Sequence, residues 1–230
     1  MAIQRPPESR FAALTYAIVA YGARLAAYVY FPRMRVLNAN GVPRREGVLF
    51  VSNHLNYADP WLLLAVAPRR STFLAMHKLF TWPVVGMLAR MIGALPVRDD
   101  GPALEVTRAT LQALRAGRAV VVFPEGERSR VAGLLPASSG AALLAYRSGC
   151  LVVPVAITGT ERVSWLGILA RPLFGPQVTV RFGEPFRPPP AERLNAATLK
   201  AGTDEIMRRL AALLPPAYRG VYGEAPAQDG

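Results

Sequence analysis

From about residue 35 onward, short apolar runs alternate with longer amphipathic stretches, and turn-forming residues separate them. Val48-Leu49-Phe50-Val51 (continuing to Ser52), Thr72 to Met76, Ala119 to Phe123 and Leu151 to Ile157 are compact apolar runs. Most are rich in β-branched side chains, the pattern of strands covered on both faces. Arg35-Val36-Leu37, Ala94 to Val97 and the alternating Val178-Thr179-Val180-Arg181-Phe182 read as shorter strands. Between them the pattern predicts a helix from Pro60 that stops at Pro68, and another over Trp82 to Ile92, ended by Gly93. A cleaner amphipathic helix opens at Pro102, runs through Leu104, Val106, Leu111 and Leu114, and stops at Gly117. Ser139 to Arg147 and roughly Ala191 to Leu214 complete the helices. Strands alternating with helices define an α/β protein with a mixed, largely parallel sheet flanked by helices.

The N-terminal stretch has a different character. Phe11 to Phe31 is apolar, rich in Ala and Tyr, with Arg24 as its only formal charge. A helix of that length measures roughly 30 Å, the thickness of a bilayer core. A central Arg costs about 2.5–3.5 kcal/mol on insertion scales, which favours a helix lying in the interface, with a single span next and an ordinary buried core helix as the third reading. Arg5, Arg10, Arg24, Arg33, Arg35, Arg44 and Arg45 stand against only Glu8 and Glu46 in this region, which suits anionic headgroups. No convincing small-residue cleavage site follows, so a signal peptide is not expected. The chain thus divides into an N-terminal apolar membrane-associating helix (residues 1–34), a domain (35–214) and a Pro/Gly/Ala-rich tail (215–230) expected to fray.

Composition narrows the partners. The 230 residues are 52% hydrophobic with mean hydropathy +0.22, too polar for a multi-span membrane protein. Net charge is +12, so anionic partners are expected: phospholipid headgroups, a phosphorylated substrate or nucleic acid. The arginines are scattered with no nucleic-acid-binding motif, which argues for no nucleic acid. Cys150 is the only cysteine, so an intramolecular disulfide and a cysteine-rich metal site are both excluded.

Candidate chemistry collects just past the ends of predicted strands, where open α/β sheets place their sites. After Val48–Ser52 come Asn53-His54-Leu55-Asn56-Tyr57-Ala58-Asp59. Two readings fit this stretch. His54 is a general base oriented by Asp59, or Asp59-Pro60 is a helix cap and His54 a satisfied strand-end histidine. Arg98-Asp99-Asp100 follows the Ala94–Val97 strand, and Pro124-Glu125-Gly126-Glu127-Arg128-Ser129-Arg130 follows Ala119–Phe123. Arg98, Arg128 and Arg130 can grip an anion, Gly126 lets backbone approach it, and this convergence favours the catalytic reading. The chain has no G-x-S-x-G serine, no phosphate-binding G-x-x-x-x-G-K loop and no H-E-x-x-H zinc motif. His54, His77, Asp59 and Glu125 have no helical ligand spacing, so no metal is expected.

The order His-x-x-x-x-Asp, Gly-x-x-x-x-Arg, Phe-Pro-Glu-Gly-x-Arg-Ser and Val-Pro-Val resembles the glycerolipid acyltransferases of the lysophosphatidic acid acyltransferase (PlsC-like) type. Here these are His54 to Asp59, Gly93 to Arg98, Phe123 to Ser129 and Val153-Pro154-Val155. The resemblance covers about residues 35 to 185. It implies transfer of an acyl group from acyl-CoA or an acyl carrier protein (ACP) thioester, as co-substrate, to the hydroxyl of a lysophospholipid. In this family the histidine is the general base and attack is direct, with no resident cofactor. It further implies that His54 and Asp59 are catalytic and that Arg98, Glu125, Gly126 and Arg128 bind the acceptor. Asn56, Glu127, Ser129, Arg130 and Pro154 take substrate or structural roles. The chain departs from the family at Asn56, where Ser is frequent, and at Glu127, where Thr is common. Membrane phospholipids are the expected partners. The expected location is the cell membrane, peripheral or singly anchored, with the catalytic domain in the cytoplasm. A different hydroxyl acceptor, or a non-catalytic lipid-surface protein, are the alternative readings.

Overall fold

Every side chain of the strand Val48–Ser52 is buried, because it lies inside a seven-stranded sheet covered on both faces. The computed structural model describes residues 10–97, 103–163 and 176–223. Its strands are β1 (Arg35–Leu37), β2 (Val48–Ser52), β3 (Ser71–Met76), β4 (Leu95–Val97), β5 (Ala119–Val122), β6 (Leu151–Thr158) and β7 (Thr179–Phe182). They are ordered β1-β7-β6-β2-β5-β3-β4. Neighbours pair in parallel except β6 with β7, so β1 and β7 run against the rest. The mixed, largely parallel sheet expected from the alternation is the one observed.

Side-chain alternation along the strands builds the two core layers. Val48 and Phe50 of β2, Val121 of β5 and Val153 and Val155 of β6 face α1 (Arg10–Tyr30), α2 (Asp59–Val66) and α3 (Pro83–Met91). Leu49, Val51, Val120, Val122 and Val152 face α4 (Ala103–Arg115), α5 (Gly140–Ser148) and α6 (Ala196–Leu213). Pro154 sits buried in the centre of β6, opposite Val51, and its carbonyl accepts the Gly183 N–H at 2.8 Å. A Cβ on Gly183 would press into the Pro154 ring, so this pair is a packing contact in the core.

The N-terminal helix belongs to the same core as the rest of the domain. Tyr16, Val19 and Ala27 of α1, and Phe31 just beyond it, pack with Leu62, Leu63 and Leu64 of α2. The Tyr16 hydroxyl accepts the Ser71 N–H at 3.0 Å, and the Arg70 guanidinium lies 4.7 Å from the Tyr16 ring centroid. Residue 34 is therefore no boundary in the packing. The opposite face leaves Phe11, Leu14, Ile18, Tyr21, Leu25 and Tyr28 exposed, alternating three and four residues apart, an apolar stripe down the whole helix.

Two expectations at the C-terminal end are corrected. The last helix begins at Ala196, not near Ala191, because the Asn195 side chain accepts the Thr198 N–H at 2.8 Å and caps it there. The tail does not fray from Pro215. Residues Pro216–Tyr218 and Gly220–Tyr222 form two tight turns against the loop after β5. Leu134 donates its N–H to the Tyr218 carbonyl at 3.1 Å and accepts the Val221 N–H at 3.2 Å. Gly220 has φ +49, and a Cβ there would fall well inside contact distance of the Leu134 backbone. Residues 224–230 of the tail lie outside the described residues.

Candidate active site

The site begins where β2 ends. The Asn53 amide, buried, donates to the Ile157 carbonyl and accepts the Ile157 N–H, both at 2.8 Å. That two-point pairing locks the end of β2 to β6 and sets the direction in which His54 leaves the sheet. The chain then turns tightly: Asp59 donates its N–H to the Asn56 carbonyl at 3.0 Å, and the Asn56 side chain accepts the Ala58 N–H at 3.0 Å.

This turn folds the Asp59 carboxylate back onto His54. Asp59 Oδ2 lies 2.9 Å from His54 Nδ1 and also accepts the N–H groups of Leu55 (2.6 Å) and Asn56 (2.7 Å). Asp59 is the first residue of α2 and Ala58 occupies the cap position without a side-chain bond, so the carboxylate serves the turn, not the helix end. It is wholly buried, while the His54 side chain keeps 15% of its surface exposed. An ionised carboxylate only accepts, so the proton of neutral His54 sits on Nδ1 and the lone pair on Nε2. Phe123, the first residue past β5, stacks on the imidazole with centroids 4.3 Å apart and planes at 26°.

Glu125 supports this arrangement from beneath. Its Oε1 accepts the His54 backbone N–H at 3.1 Å and its Oε2 the Leu135 N–H at 2.8 Å. Burial pushes its carboxyl up to about 7; the N–H groups of Leu135 and His54 oppose that rise, and the charges of Asp59 and Glu127 add to it. Ser129 closes the contact from the other side, donating its N–H to the His54 carbonyl at 2.8 Å. Its own hydroxyl is buried without a hydrogen-bond partner among the described residues.

The remaining expected residues distribute around this centre. Gly126 adopts φ +76 at the exposed tip of the loop, a conformation open to glycine. Arg128 is half-buried with its guanidinium 3.5 Å from the Tyr57 ring centroid. Glu127 and Arg130 are exposed and form no ion pair among the described residues. Asn56 donates its amide to the Val163 carbonyl at 3.1 Å, so both ends of its side chain hold backbone. Pro154 lies in the core of β6, and Arg98 lies outside the described residues. Sequence reasoning passed over Asn53, Tyr57 and Phe123, although all three stand inside the quoted motifs; their roles rest on contacts that spacing does not encode.

Comparison with known proteins places the chain in a family. A family model described as Acyltransferase matches residues 33–158, more than half of the chain, and the chain belongs to that family. It is 31% identical over 117 residues to a chloroplastic 1-acyl-sn-glycerol-3-phosphate acyltransferase of Brassica napus, covering 50% of this chain and 34% of that protein. It is 32% identical over 137 residues to a lyso-ornithine lipid O-acyltransferase of Pseudomonas aeruginosa, covering 59% of this chain and 51% of that one. The chain thus spans a third to a half of the length of these relatives. The solved structure of the 1-acyl-sn-glycerophosphate acyltransferase PlsC of Thermotoga maritima superposes with a TM-score of 0.64 at 23% identity. That likeness covers 89% of this chain and 81% of that one, and it is a likeness of fold.

Proposed function

We propose that this protein transfers a fatty acyl group from an acyl-CoA or acyl-ACP thioester to the hydroxyl of a lysophospholipid, with 1-acylglycerol-3-phosphate as acceptor and phosphatidic acid as product. The observation that carries this reading is the His54–Asp59 pair, which leaves Nε2 as the open proton acceptor. His54 Nε2 takes the hydroxyl proton as the acceptor oxygen bonds to the thioester carbonyl carbon. The tetrahedral intermediate then expels the thiolate, which recovers the proton from the imidazolium. Asp59 stabilises the imidazolium between these two transfers. The thioester is a co-substrate, and this chemistry calls for no resident cofactor. Arg128 binds the anionic group of the acceptor, assisted by Arg98.

The same reading places the protein on a membrane surface, where both lipid substrates reside. One face of α1 is committed to the protein core and the other exposes the Phe11-to-Tyr28 stripe, which supports a helix lying in the interface over one that spans it. Trp82, Val84 and Met87, at the start of α3 and along it, are further exposed apolar residues, on a helix that contacts α1. The catalytic domain is then on the cytoplasmic side, beside its thioester donors.

A second acceptor class has one observation in its favour. Glu127 is exposed without an ion pair among the described residues, beside Arg128, and a headgroup carrying both charges would meet both. The lyso-ornithine relative named above makes that class worth assaying. A test incubates purified protein with labelled acyl thioester and a set of lysolipids. Transfer to none of them refutes the reading and leaves a lipid-surface protein without catalysis; equal transfer by His54→Ala refutes the His54 mechanism.

A further inference from the structure

An arginine free at the mouth of a site samples many rotamers and loses them when it grips a ligand. An ion pair can hold it still, but at the expense of the N–H donors the ligand needs. Stacking on an aromatic face fixes the guanidinium plane and leaves its in-plane donors open. Arg128 has the second arrangement: its guanidinium lies over Tyr57 at 3.5 Å, and among the described residues it forms no ion pair or hydrogen bond through its side chain.

The platform beneath it is unusual in being both exposed and fixed. Tyr57 is 50% exposed, yet its backbone lies inside the turn held by the Asp59 carboxylate and the Asn56 side chain. On the other side, the residue after Arg128 donates its N–H to the His54 carbonyl. Arg128 is therefore tied to the general base through both its own loop and the loop of the base.

We propose that Tyr57 is a positioning residue for Arg128, holding the guanidinium at a set distance from His54 Nε2. An acceptor whose anionic group lies a few bonds from its hydroxyl then meets grip and base together, while an uncharged acceptor gains nothing from the stack. This inference rests on the acyl-transfer reading and adds to it a residue that selects the acceptor.

The test compares full-length wild type, Tyr57→Leu, Tyr57→Phe, Arg128→Ala and the Tyr57→Leu/Arg128→Ala double variant, each checked for folding by thermal melting. Acyl-CoA is the donor; 1-acylglycerol 3-phosphate and uncharged monoacylglycerol are the acceptors. Tyr57→Leu is expected to raise KM for the phosphate acceptor roughly 2- to 30-fold, the span of a cation–π contact, and to leave KM for acyl-CoA unchanged. Tyr57→Phe retains the wild-type value, and Tyr57→Leu adds no further effect once Arg128 is alanine. Wild-type KM in Tyr57→Leu, or the same loss in the Arg128→Ala background, overturns the proposal. Binding of glycerol 3-phosphate without donor gives the comparison independently of turnover. If wild type acylates neither acceptor, the acyl-transfer reading fails. The stack is then judged by that binding alone: weaker binding by Tyr57→Leu supports it, and equal binding, or none by wild type, overturns it.

Discussion

Glu125 holds His54 by the backbone: its Oε1 accepts the His54 N–H at 3.1 Å while Oε2 accepts that of Leu135 at 2.8 Å. The carboxylate that the family resemblance assigns to acceptor binding has both oxygens occupied by the protein's own N–H groups. Glu125→Ala leaves both donors unpaired, at about 1–3 kcal/mol for each one buried. Urea denaturation is expected to register that loss, and acyl transfer to fall with it because His54 loses its support. Unchanged stability would mean that water replaces the carboxylate freely.

The same residue makes stability depend on pH. Its folded carboxyl is pushed up to about 7 from 4.5, chiefly by burial, so the folded state binds the proton more tightly than the unfolded one. The sign follows: the Glu125 contribution is most favourable below pH 4.5, declines as pH rises to about 7, and is flat above that. In Glu125→Gln this component disappears. Denaturation of both proteins at pH 5 and pH 7.5 checks it: wild type should lose more stability over that interval than the variant. Parallel losses would place the titration elsewhere.

The role proposed for Asp59 rests on its charge. Three donors converge on Oδ2, and Oδ1, without a partner among the described residues, is buried beside them. Asp59→Asn keeps the shape and one accepting oxygen but removes the charge that stabilises the imidazolium. Turnover is expected to fall about 10²- to 10⁴-fold, the usual contribution of a positioned acid–base pair. The melting temperature should move far less than in Asp59→Ala, where the Leu55 and Asn56 N–H groups lose their acceptor. Near-wild-type turnover in Asp59→Asn would reduce Asp59 to a turn-forming residue.

The exposed α1 stripe allows the proposed membrane docking to be tested apart from folding. Leu14 and Ile18 are 58% and 57% exposed, on the face of α1 away from the core cluster. Leu14→Glu with Ile18→Glu removes two apolar anchors worth about 1.5–3 kcal/mol each when fully buried. Sedimentation with anionic liposomes should fall at least about tenfold, with thermal stability unchanged. A drop in stability instead would show that the face is covered within the protein.

Much of this arrangement could be read from the chain, and the reasons differ by element. β2, β5 and β6 are covered on both faces, so their sequences are short, nearly continuous apolar runs bounded by turn residues. His54 and Asp59 were readable as a candidate pair because a strand end and a helix start five residues apart can meet across one turn, and the charged clusters after two later strands favoured that reading over a helix cap. Asn53 was not, because its partner Ile157 lies 104 residues away and only the adjacency of β2 and β6 joins them. Phe123 over His54 and Arg128 over Tyr57 depend on the same adjacency, of β2 with β5, that no local pattern carries. The first part of the tail misled for a related reason: Pro, Gly and Ala report local propensity, whereas the turns at Pro216–Tyr218 and Gly220–Tyr222 are held by the distant backbone of Leu134.

That distant contact supplies a way to reach the base without touching it. The Gly220 turn lies against Leu134, Leu134 precedes the Leu135 N–H held by Glu125, and Glu125 holds His54. Gly220→Ala places a methyl group against the Leu134 backbone at a positive φ, so the turn must move away. A strained left-handed residue costs on the order of 1–2 kcal/mol, and the clash adds to it. Hydrogen exchange should show faster opening at Leu134 and Leu135, and acyl transfer should fall several-fold with KM for both substrates little changed. Gly223→Ala is the control: its nearest neighbour is the Gly220 carbonyl, its φ is −71, and a methyl group there is expected to leave exchange at Leu135 unaltered. If Gly220→Ala moves exchange at Leu134 but not activity, the strap stabilises the loop without bearing on the base. If it moves both together, the C-terminal turns are part of what holds His54 in place.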